Sequence, residues 1–136
     1  MIYIDTSAFL RGMLAGAADH AAAAKLLTDS YQLVSSELLW LEAHRVAIRL
    51  AAEDPSFVGL SSEMANALKT INRVLIDSAI INAARSIPQV IKSLDAIHVA
   101  TVESLGDAID RVVTYDKTMT SVLSERGWTV SMASNF

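Results

Sequence analysis

Four carboxylates in this chain stand where parallel α/β proteins do their chemistry. Asp5 follows the apolar run Ile2-Tyr3-Ile4 and precedes two hydroxyl residues, Thr6 and Ser7; Asp116 follows Arg111-Val112-Val113-Thr114-Tyr115. Runs of this kind, rich in β-branched residues and too apolar to alternate, read as strands buried on both faces. Ligands in such sheets bind just beyond the carboxyl ends of the strands. Asp95 begins a helix at Ser93-Leu94-Asp95, and Glu42 falls on the helix after the second strand, about one and a half turns from its start. Carboxylates crowded at one sheet edge repel one another unless a cation lies between them. Mg²⁺ and Mn²⁺ favour oxygen ligands. Such an ion lowers the pKa of a bound water and stabilises charge on a phosphoryl group. The chemistry this pattern points to is metal-assisted phosphodiester hydrolysis.

Each residue also has a purely structural reading. Asp5 or Thr6 can cap the helix that follows, Asp116 can cap the next one, and Ser93 competes with Asp95 as a cap. Asp77, after Arg73-Val74-Leu75-Ile76, is expected only to cap. Glu37 lies in a first helical turn, where the helix dipole alone explains a carboxylate. Glu42 lies deeper, in the apolar stretch Leu38 to Ala43, and a buried carboxylate needs a partner. His98 is one turn beyond Asp95 on the same helix face. It is read as a packed side chain, the alternative being that it orients a ligand or donates to phosphate. Arg45 and Arg49 share the Glu42 helix; they either pair with the acidic cluster or contact a phosphate substrate, Arg45 being the candidate, or simply face solvent. His20 and His44 show no partner pattern, and there is no HExxH zinc motif, P-loop or GxGxxG.

These side chains are positioned by alternating strands and helices. Strands are expected at 2–4, 32–36, 73–76, 111–115 and 128–132. Helices are expected at 8–14, 21–28 (capped by Asp19), 37–53 (capped by Ser36), 61–70, 78–86, 93–105 (closed by Gly106) and 117–125. Asp54-Pro55 ends the third helix. The alternation implies one parallel sheet covered on both faces. No repeat, linker or low-complexity tract interrupts residues 1–136, which read as one domain.

Composition narrows the class. At 52% hydrophobic and 19% charged, the chain is globular. With no cysteine, disulfides, thiolate metal sites and cysteine nucleophiles are excluded. No apolar run approaches the roughly 20 residues of a membrane span, and no basic leader precedes the first strand; a cytoplasmic protein is expected. A net charge of −4 argues against gripping nucleic acid by bulk electrostatics, although metal ions on the carboxylates would let the chain approach phosphates.

The segments Ile4-Asp5-Thr6-Ser7-Ala8, Ser36 with Glu42 and Arg45, Leu94-Asp95-Ala96-Ile97-His98-Val99-Ala100 and Val113-Thr114-Tyr115-Asp116 resemble, in order, the four motifs of PIN-domain nucleases. The subgroup most similar is the VapC-type toxins of toxin–antitoxin pairs. That resemblance implies a three-layer α/β/α sandwich around a five-stranded parallel sheet of order 3-2-1-4-5. It implies an acidic pocket with Mg²⁺ or Mn²⁺, in which Asp5, Asp95 and Asp116 are ligands, Glu42 is the fourth acid, and Thr6 and Thr114 hold ligands or water in place. It further implies endoribonuclease activity, a cognate antitoxin and a homodimer. The first two helices and the Glu42 helix are expected to leave an apolar groove for an antitoxin helix.

Rival readings are weaker. A haloacid-dehalogenase-type phosphatase needs a second Asp where Ser7 stands, and a receiver-like module needs adjacent early acids and a late Lys after a strand. A PIN-like module that binds RNA or a partner without cutting is the alternative, though all four acids are present.

Overall fold

Strands and helices alternate along the whole of the computed structural model, which describes residues 1–136. They are β1 (Ile2–Ile4), α1 (Thr6–Met13), α2 (His20–Thr28), β2 (Leu33–Ser36), α3 (Leu38–Glu53), α4 (Leu60–Leu68), β3 (Ile71–Val74), α5 (Ser78–Arg85), α6 (Ser93–Leu105), β4 (Arg111–Val113), α7 (Lys117–Glu125) and β5 (Val130–Ser131). The five strands form one sheet in the order β3-β2-β1-β4-β5, with every neighbouring pair parallel. This is the expected order, and β1 is its centre.

The pleat of the sheet divides the core in two, because successive side chains leave a strand on opposite faces. Ile2, Ile4, Leu33 and Val113 pack with Phe9, Leu39, Ala43 and Met64 from α1, α3 and α4. Tyr3, Val34 and Val112 pack with Val99, Val102, Met119 and Leu123 from α6 and α7. Helices therefore cover both faces, which is the three-layer arrangement. α1 and α2 approach closely at Gly12, where a Cβ would meet Leu27 Cδ1 at 2.5 Å and Ala23 O at 3.0 Å.

Several boundaries differ from the sequence expectation for identifiable reasons. β3 lies at Ile71–Val74 rather than 73–76. Its ladder with β2 stops at Val74 because Glu37 takes over: its N–H donates to Val74 O at 2.8 Å and its carboxylate receives the Ile76 N–H at 2.6 Å. Glu37 thus ends a strand and does not sit inside a helix; Arg73 adds an ion pair to it at 3.3 Å. Ser36 is not the N-cap of α3, which is Glu37 and makes no side-chain cap bond; Ser36 stands one residue earlier, its hydroxyl accepting from Leu38 N. β4 is cut to Arg111–Val113 and β5 to Val130–Ser131, the latter because Trp128 turns back to α7 through a bond from its N–H to Leu123 O.

Asp19 stands at the N-cap of α2, as expected, but in a left-handed conformation, φ 61°, and makes no side-chain cap bond; its carboxylate instead accepts from the Tyr115 hydroxyl. The expected apolar groove is also redistributed. Phe9 and Leu26 are buried where α1 and α2 pack, and the large apolar side chains left exposed on the three helices named are Leu41 and Ile48 of α3. No helix is long and apolar enough to cross a membrane.

Candidate active site

Asp5 leaves β1 and at once caps α1. Its Oδ1 accepts the Ala8 N–H at 3.0 Å and the Ser7 hydroxyl at 2.7 Å, while Oδ2 accepts the Thr114 hydroxyl at 2.6 Å. The Thr114 oxygen in turn accepts the Asp116 N–H at 3.1 Å, and the Ser7 oxygen accepts the Tyr115 N–H at 2.9 Å. These bonds clamp the carboxyl ends of β1 and β4 together. Asp116 caps α7 by accepting from Met119 N at 2.7 Å. Asp95 lies in the first turn of α6, whose N-terminus has no side-chain cap, so neither Asp95 nor Ser93 serves as one. Asp77 caps α5 through Ile80 N, as expected.

Asp5, Asp95 and Asp116 therefore each stand at the start of a helix. The exposed N–H groups and dipoles of three helix N-termini offset part of their mutual repulsion. Glu42 projects from α3 on the other side of the site. Its Oε1 accepts the Thr6 hydroxyl at 2.6 Å and lies 3.2 Å from His98 Nε2. Thr6 and Thr114 thus each hold one of the acids in place.

Electrostatics distinguish the four. Burial pushes the Asp5 carboxyl up, against His98 and the bonds from Thr114, Ser7 and Ala8. Asp95 is raised chiefly by burial and further by the charges of Asp116, Asp5 and Glu42, with His98 opposing. Burial also acts to raise Glu42, but the bonds from His98 and Thr6 prevail and hold it below its ordinary value. No three of these side chains close into a finished metal cage. The donors nevertheless suit Mg²⁺ or Mn²⁺: all are oxygens, and the repulsion at Asp95 is what a divalent ion relieves.

His98 is a correction. It is buried, as a packed residue would be, yet its ring is bonded into the site rather than merely enclosed. Tyr3 was not singled out by sequence reasoning, because its His98 partner lies 95 positions away, and Ser7 was noted only as a hydroxyl beside Asp5, its bond to Tyr115 spanning 108 positions. His20 and His44 bond to Arg11 O and Ser61 instead, away from the acids. Arg45 and Arg49 are exposed, roughly one and two turns beyond Glu42, and stay out of the hydrogen bonding around the acids.

A parallel sheet of this order, with acids at the carboxyl ends of its two central strands, defines a class. The chain belongs to the PIN domain family, whose model matches residues 2–122. It is 33% identical over 121 residues to Ribonuclease VapC35 of Mycobacterium tuberculosis, covering 85% of this chain and 84% of that protein. Its fold is also that of a toxin–antitoxin complex from Klebsiella pneumoniae (TM-score 0.70, 20% identity, 98% of each chain). A second structural match is Mycobacterium tuberculosis VapC20, a sarcin-ricin loop cleaving toxin (TM-score 0.68, 16% identity, 95% of this chain and 97% of that one). A third is VapBC2 from Rickettsia felis bound to a promoter DNA fragment (TM-score 0.67, 10% identity, 97% and 98%).

Proposed function

We propose that this protein is a Mg²⁺- or Mn²⁺-dependent endoribonuclease and the toxin of a VapC-type toxin–antitoxin pair. The observation that carries the reading is the placing of Asp5, Asp95 and Asp116 at the starts of three helices, with Glu42 held by Thr6 and His98, at the carboxyl edge of a PIN-domain sheet. Asp5, Asp95 and Asp116 would hold the ion. Bound there, it would lower the pKa of water and neutralise charge on the phosphodiester. Thr114 fixes Asp5 and, through its oxygen, the start of α7 at Asp116. Glu42 has Oε1 engaged by Thr6 and His98, which leaves Oε2 to orient the attacking water. The nucleophile is water, since the chain has no Cys and no Ser–His–Asp arrangement. Arg45, exposed about one turn beyond Glu42, would meet the RNA backbone.

The same reading makes a cognate antitoxin the physiological inhibitor. Its helix would rest on the exposed Leu41 and Ile48 of α3 and send an Arg or Lys to the acids. It further makes the protein a cytoplasmic homodimer. The test is cleavage of single-stranded RNA by the purified protein in Mg²⁺ or Mn²⁺, with 5′-phosphate and 3′-hydroxyl ends. Cleavage surviving EDTA, or 2′,3′-cyclic phosphate ends, overturns the mechanism. An isolated chain that stays monomeric at high concentration, and an antitoxin that fails to co-purify, overturn the assembly.

A further inference from the structure

A chain of buried hydrogen bonds runs from the centre of the sheet to Glu42. Tyr3 is wholly buried in β1, the central strand, and its phenol oxygen accepts the Ser36 N–H at 3.2 Å. That phenol lies 2.7 Å from His98 Nδ1. The two rings meet edge to face, 6.0 Å between centroids and 80° between planes. On the far side of the imidazole, Nε2 lies 3.2 Å from Glu42 Oε1, the oxygen that also takes the Thr6 hydroxyl.

The direction of these bonds follows from the donors available. A phenol keeps its proton near neutral pH, and the Tyr3 hydroxyl is shut away from water. With Ser36 donating to its oxygen, that proton goes to His98 Nδ1. A neutral imidazole that accepts at Nδ1 carries its hydrogen on Nε2, which then donates to Glu42.

We propose that Tyr3 and His98 form a positioning relay that sets the imidazole tautomer and thereby fixes Glu42 with Oε1 occupied and Oε2 presented to the site. The role of Glu42 in RNA cleavage rests on the function proposed above; the relay itself does not. Its components come from three separate elements, β1, α6 and α3. Groups that orient a site residue through one intervening bond are typically worth about 10–100-fold in activity or metal affinity.

The experiment uses the full chain, free of metal, with ¹⁵N-labelled histidine. Long-range ¹H–¹⁵N spectra should show His98 with an unprotonated Nδ1 and a protonated Nε2. Tyr3→Phe keeps the ring and removes only the hydroxyl, and should release that tautomer to a mixture while circular dichroism stays native. In RNA cleavage, Tyr3→Phe should lower kcat by about tenfold with KM unchanged, and His98→Phe by about 100-fold. His98→Gln, which restores an N–H donor, should recover part of the loss. An imidazole protonated at Nδ1 in the unmutated protein, or a tautomer indifferent to Tyr3→Phe, overturns the relay whether or not RNA is cut. Cleavage by the unmutated chain with an unchanged kcat in Tyr3→Phe overturns its part in catalysis. A native tautomer in a chain that cuts no RNA leaves the relay standing and refutes the nuclease reading instead.

Discussion

The two ends of α6 treat a carboxylate in opposite ways. At its start, Asp95 faces three other acids and its carboxyl is pushed up by burial and by their charge. Two turns on, Glu103 receives Arg126 in a two-pronged pair, Nη2 to Oε1 at 2.7 Å and Nε to Oε2 at 2.8 Å, and the Trp128 indole adds a third donor. Arg126 holds Glu103 below its ordinary value. Arg126 also reaches Gln89 at 3.1 Å, so the pair ties the end of α7 to α6 and to the segment before it. Where the fold uses a carboxylate for stability, it supplies a cation from its own chain. At the other end it gathers four carboxylates against a single histidine, His98, and on the proposed reading the balance is left for a bound ion. On that reading, the molecule separates a self-sufficient end of α6 from an end completed by a ligand.

The largest break in this contrast is expected from Asp5→Asn. The change keeps shape and the acceptor for the Ala8 N–H but removes one charge from the site. It should lower RNA cleavage by roughly 10²–10³-fold or more, the loss of several kcal/mol of charge stabilisation, while circular dichroism stays native. A variant that cuts at the unmutated rate removes Asp5 from the site. Next is Thr114→Val, which strips the hydroxyl that serves both Asp5 and Asp116. A loss of about 10–100-fold in activity is expected, along with about 1–3 kcal/mol of stability from the donors and acceptors left unpaired in a buried place, read by urea denaturation.

At the other end of the helix the effect should be one of stability alone. Arg126→Met should cost about 0.5–1 kcal/mol near neutral pH, after allowance for solvent screening of a half-buried pair, and should leave cleavage unchanged. Because Glu103 has a lowered pKa in the fold, its contribution is present above the unfolded value and fades as pH falls through the folded one. Melting curves of the two proteins should therefore converge in acid. The smallest effect, opposite in sign, is expected from Asp95→Asn in metal-free protein. Asp95 has a raised pKa, so its penalty is absent in acid and grows as pH rises through the folded value. The variant should be more stable near neutral pH by under about 1 kcal/mol after screening. Millimolar Mg²⁺ should raise the melting temperature of the unmutated chain and not that of the variant. Equal pH profiles for the two would mean that no repulsion is concentrated on Asp95.

The placing of Asp5 and Asp116 at strand ends was legible because it is local, an apolar run, then an acid, then a helix; the strand order is not local and came only with the resemblance of the four motifs to PIN domains. The same locality explains the failures. Asp19 has the composition of a cap, but its partner is Tyr115, 96 positions away. Glu37 has the position of a first-turn acid, but the unpaired N–H of Ile76 claims it. The end of β3 was misplaced for that same reason, since the side chain that stops the ladder lies on another element. His98 was read as packing because burial and site chemistry leave the same trace in sequence, one histidine on a helix. Only the phenol of Tyr3 and the carboxylate of Glu42, brought to its two nitrogens, separate the cases.

The clamp between β1 and β4 has a consequence for the order of synthesis. The bond from Thr114 to Asp5 joins residues 109 positions apart. A chain emerging N-terminus first can pair β1 with β2 and β2 with β3 long before β4 exists. Until β4 arrives, one edge of the central strand stays open, and the Asp5 carboxylate lacks the Thr114 hydroxyl. Late closure of so distant a contact is slow relative to local pairing, and domains generally complete themselves only when their last strands are available. On the proposed reading, the nascent chain is harmless to the RNA around it through most of its own translation, and becomes a nuclease only as β4 slides in beside β1.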